Sequence, residues 1–192
     1  AGNISVNTKL MKKNIYVLQG NVYVTNNAVL TIEPGTLIIG DFETKGTLVV
    51  TKGASIIADG LETDPIVFTS NEAVGARNEG DWGGLVILGL AKNNQPGGVA
   101  NIEGIVPTTD SQFGGNFDND NSGILRYVRV EFGGIALEPN KEINGITFGS
   151  VGNQTIVEFD DLKIYNYELN VSQVGELYNN NVLSSSSFSQ NN

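Results

Sequence analysis

The chain has 192 residues, 40% of them hydrophobic, with 24 glycines; this is one domain's length, with enough apolar material for a core and the composition of a β-rich protein with many tight corners. Its 11 Lys and Arg against 21 Asp and Glu, a formal net charge of −10, argue against a nucleic-acid binder, which must neutralise a run of phosphates. The lack of Cys and His removes disulfides, thiolate chemistry, imidazole zinc sites and Ser-His or Cys-His nucleophile pairs. No apolar run approaches the ~18 residues that span a bilayer. Ala1-Gly2-Asn3 carries neither the charged nor the apolar part of a signal peptide, which fits an exported chain whose leader has been removed.

Residues 15–18, 22–24, 28–32 and 36–39 read as four short strands, rich in β-branched residues and closed by Gly, Asn or Pro. Glu33-Pro34-Gly35 is a turn in which Pro presets φ and Gly supplies a positive one. The stretch from residue 20 to 34 then recurs 26 residues later, at 46 to 60: Gly20/Gly46, Val24/Val50, Thr25/Thr51 and Ala28/Ala54 are identical, and Val22/Leu48, Tyr23/Val49 and Leu30/Ile56 are apolar in both copies. A period of that length, built of short strands and Gly-rich corners, predicts a solenoid whose coils bury their apolar faces against neighbours above and below. The second copy supplies strands at 47–50, 55–58 and 66–69. Residues 70–81 form a polar protruding loop, and residues 82–89, Trp82 to Gly89, return to the core.

Residues 91–122 make a long excursion broken only at 102–105, and a loop of that length is usually functional or pinned. Residues 124–132 read as the longest strand, with Val128, Val130 and Phe132 on its core face and Tyr127, Arg129 and Glu131 on the other. Strands at 143–148 and 155–159 complete the pattern.

Several motifs resemble those of surface proteins of Bacteroidetes exported by the type IX secretion system. They are Leu30-Thr31-Ile32-Glu33-Pro34-Gly35-Thr36, Pro65-Ile66-Val67-Phe68-Thr69-Ser70, Gly80-Asp81-Trp82-Gly83-Gly84, the run from Asp120 to Arg129, and the run from Glu142 to Gly149. The resemblance covers residues 14–157 and implies an all-β fold, a right-handed parallel β-helix, on a secreted or bacterial cell-surface protein with no activity attached to the family as a class. Residues 159–178 depart from it and are similar to the last strand and helix of laminin-G-like jelly rolls, which bind glycans and calcium; the other jelly-roll strands are missing. The same residues also read as a cap: Asn170 with Gln173 forms a capping box, and Val171, Val174, Leu177 and Tyr178 form one apolar stripe that would cover the open end of the solenoid. Residues 181–192, rich in Ser and Asn, read as a linker and resemble the spacer before a type IX sorting domain. The expected layout is therefore a β-helix over 1–157, a strand plus short helix over 158–180, and a linker over 181–192.

Asp118-x-Asp120-x-Ser122-Gly123 matches the opening of a calcium loop, but an EF-hand needs a bidentate Glu where this chain has Arg129. A looser calcium site made from Asp110, Asp118 and Asp120 stands against surface Asx-turns. Trp82 is a candidate sugar platform or, between Asp81 and Gly83-Gly84, a corner residue over the core. Arg129 is a candidate glycan contact or one half of a surface ion pair with Glu131. Polysaccharide lyases and hydrolases also occur on β-helices, but the sequence has three arginines and no repeated ladder of acids. The expectation is a non-catalytic structural or adhesive rod that requires no cofactor. Its partners would be further copies of itself end to end, or extracellular glycans with calcium assistance.

Overall fold

The computed structural model describes residues 2–138 and 141–158. Within these residues five rungs stack as an all-β parallel β-helix. The first rung is β1 (Gly2–Ile4), β2 (Thr8–Leu10) and β3 (Ile15–Leu18); the second is β4 (Asn21–Val24), β5 (Val29–Ile32) and β6 (Leu37–Gly40). The third is β7 (Thr47–Val50), β8 (Ser55–Asp59) and β9 (Ile66–Ser70). The fourth begins with β10 (Gly84–Leu88), leaves the stack through β11 (Ala100–Asn101) and β12 (Gln112–Phe113), and resumes with β13 (Gly123–Arg126) and β14 (Val128–Val130). An antiparallel pair, β15 (Ile135–Glu138) and β16 (Lys141–Ile143), precedes the fifth rung, β17 (Ile146–Gly149) and β18 (Ile156–Glu158). Like strands of successive rungs pair in parallel. The first sheet runs β1-β4-β7-β10-β17, the second β2-β5-β8-β13-β18 and the third β3-β6-β9-β14.

The repeat seen in the sequence is the stacking register itself. Val22 pairs with Leu48, Val24 with Val50 and Leu30 with Ile56, all at the predicted spacing. The identical Thr and Ala mark the corner between the first and second sheets. Thr51 N–H donates to Val24 O at 3.0 Å, and the buried Ala54 donates back to Thr51 O at 3.0 Å, as Ala28 does to Thr25 O. The two-residue turn between them uses positive φ, at both Asn26 (56°) and Asn27 (55°) in one copy and at Gly53 (82°) alone in the next. Inside, Leu30, Ile56, Leu125, Ile38, Phe68, Leu48, Val50, Leu85 and Ile87 form one continuous column of buried side chains.

Three expectations change. The segment 124–132 is two strands in two sheets, because Tyr127 takes φ 48° and swings the chain around a corner. Alternation does not survive that turn: Val128 and Val130 pack on the core, but Phe132, at φ 60°, is exposed. The segment 143–148 is likewise split, with Ile143 ending β16 and Ile146 opening β17. A rung also precedes Ile15, starting at Gly2. The C-terminal strand, helix and linker expected over 158–192 lie outside the described residues from 159 onward.

The excursion is not a structureless loop. It leaves and returns through a closed neck, where Gly114 N–H donates to Gly89 O at 2.9 Å and Phe117 N–H to Leu90 O at 3.0 Å. Between these points β11 and β12 pair antiparallel, and Ile102, Ile105 and Phe113 pack over the outer face of the first sheet. Ile135 and Ile143 join them. Together they bury Val49, Val86 and Leu88, which point away from the inner column. The first sheet is thus sandwiched between two apolar layers, and every residue of β7 and β10 is buried.

Candidate functional site

The three sheets present three different outer faces, and of the predicted site residues only Arg129 lies on a strand of one of them, the others sitting in corners or in the excursion. The first face is covered by the excursion. Trp82 sits at its entrance, following Asp81 at the base of the 71–80 loop, whose carboxylate accepts from Ser70 Oγ at 2.6 Å and from Asn78 N–H at 3.1 Å. Trp82 is fully buried: it stacks on Phe68 with ring centroids 6.3 Å apart and donates its indole N–H to Glu131 O at 2.7 Å. Gly40 makes room for it, since a Cβ there would lie 2.4 Å from Trp82 Cγ. The sugar-platform expectation is therefore corrected: no ring face is open to a ligand, and the indole plugs the corner between the third and first sheets.

The three aspartates do not converge. Asp110 lies in a 3-10 turn (Thr109–Ser111), where its N–H is bonded to Thr108 Oγ1 at 3.2 Å. Asp118 accepts from the main-chain N–H of Lys92 at 3.1 Å and from its ammonium at 3.2 Å. Those two bonds hold its carboxyl below the usual carboxylate range, with the main-chain bond the larger cause. Asp120 is only 5% exposed and turns its carboxylate to Ser122 Oγ at 2.8 Å. The loop that carries them stacks on the corner of the fifth rung, through Asn153 N–H to Asp118 O at 2.9 Å and Ser122 N–H to Thr155 Oγ1 at 2.9 Å. Among the described residues no group of three or more carboxylates is placed to hold a metal ion. The Asp-Asn loop is a corner that joins two rungs.

Arg129 lies on the outer face of the third sheet, beside Val67, and pairs with Glu131 as the alternation suggested. Most of the rest of that face is apolar, with Ile15 and Val17 exposed and Leu37, Ile39 and Val67 half-buried; Thr69, in register with Ile39, is buried and accepts from Arg77 Nη1 at 3.4 Å.

The second face carries a feature the sequence reading missed. Arg126 spans three rungs: its Nη1 donates to Asp59 on β8 at 2.7 Å, and its Nε and Nη2 grip Glu158 on β18 at 2.6 and 3.0 Å. Hydrogen bonds to Glu158 and then Asp59 raise the guanidinium's pKa further, and the carboxyl of Glu158 is lowered in turn. One rung down, Glu33 accepts from Lys9 Nζ at 2.8 Å and from Lys12 N–H at 2.9 Å, which lowers its carboxyl as well. A signal existed: Glu33, Asp59, Arg126 and Glu158 each end or directly follow the second-sheet strand of their rung. Beside this ladder Thr31, Ile57, Ile124 and Ile156 stand in register as an outward stripe.

A stack of three parallel sheets around one apolar column defines the chain as a parallel β-helix protein. It belongs to the family of the pectate-lyase like beta helix domain, whose family model matches residues 2–168. No curated protein and no solved structure matches the chain.

Proposed function

We propose that the chain is a rigid, non-catalytic structural or adhesive module of a secreted or cell-surface protein. The observation that supports it most is how the polar side chains of the described faces are used: they bond one rung to another or brace a corner within one rung. Arg126 ties β8, β13 and β18, Lys92 is spent on Asp118, Lys12 on Asp64 at 2.6 Å, and Lys45 lies 3.8 Å above the ring of Phe42. Side chains committed in this way stiffen a rod and leave little for an acidic ligand to recruit. The resemblance of the sequence to type IX-exported proteins supports placement outside the cell. Unpaired strand edges at the ends of a β-helix are templates for further strands, which supports end-to-end assembly with other copies.

The family description favours a second reading, a role towards polysaccharide, either as a calcium-assisted carbohydrate-binding module or as a lyase or hydrolase. Fold alone assigns no activity. A glycan array read with and without calcium chelator, with turnover assays on acidic and neutral polysaccharides, separates the two. The structural reading expects no saturable binding and no turnover. Calcium-dependent binding, or cleavage lost in Arg129→Ala, would overturn it. Electron microscopy across a concentration series tests assembly: filaments are expected, and discrete particles throughout would refute that part.

A further inference from the structure

We draw no further inference here: the strongest candidate, the apolar stripe of Ile15, Val17, Leu37, Ile39 and Val67 on the outer face of the third sheet, is an unpartnered surface, and nothing in the structure shows what covers it.

Discussion

Truncating Leu88 to alanine tests whether the excursion is a structural layer or a loop resting on the surface. Leu88 points away from the inner column, yet it is 0% exposed and packs in the cluster that contains Val49, Val86, Ile105 and Phe113. Its Cδ2 also lies against Gly149, where a Cβ would come within 3.0 Å. Leu→Ala removes three carbons from a fully enclosed site, so the lost burial and the cavity left behind together cost about 3 kcal/mol. In a domain of this size that lowers the melting temperature by roughly 6–12 °C. The matched control is Ile57→Ala, also outward-facing but on the second sheet, where none of the described residues forms a layer above it. Being half-buried, it should lose about 1 kcal/mol. Denaturant midpoints at constant m-value measure both. If Leu88→Ala falls within about 0.5 kcal/mol of the parent, as surface changes usually do, the two-layer account of the first sheet is wrong.

Four further outcomes follow from the same geometry. Gly123→Ala should abolish soluble expression or cost upwards of about 3 kcal/mol, because φ is 121° and a Cβ would stand 1.8 Å from Ile56 O; a parent-like thermal melt would refute the contact. Trp82 is the sole tryptophan, so its emission should be blue-shifted and resist acrylamide, while Trp82→Phe should cost about 1–3 kcal/mol by orphaning Glu131 O. Glu33, Asp41, Asp118 and Glu158 all have lowered carboxyl pKa values, so below the unfolded value the native state binds fewer protons than the unfolded chain. Their contribution is complete above about pH 5 and is lost as pH falls through the folded values; urea midpoints from pH 7 to pH 2 should stay level and then decline, and NMR titration of Glu158 in Arg126→Ala should show its pKa returning towards normal. Because Asp118 is held by Lys92 and Asp120 by Ser122, added calcium or chelator should leave the melting temperature unchanged; a calcium-dependent rise would restore the metal site.

The sequence by itself determined the solenoid, because stacking demands that like corners recur. Where two rungs are joined by corners of equal length, as between Gly20 and Gly60, the same Thr, Ala and Gly come back at one fixed interval and can be read directly. Tertiary structure decided everything that depends on rungs of unequal length. Arg126 and Asp59 are 67 residues apart, yet they meet because the core register, not the chain between them, aligns β13 with β8. The burial of Trp82 rests on Gly40 and the carbonyl of Glu131, neither adjacent to it in the chain. The unbroken apolar run Leu85-Val86-Ile87-Leu88 hinted that both faces of β10 are covered, but which segment supplies the cover is set by where the excursion's neck closes. Corner insertions meet no register constraint, so periodicity carries no record of where they fold back.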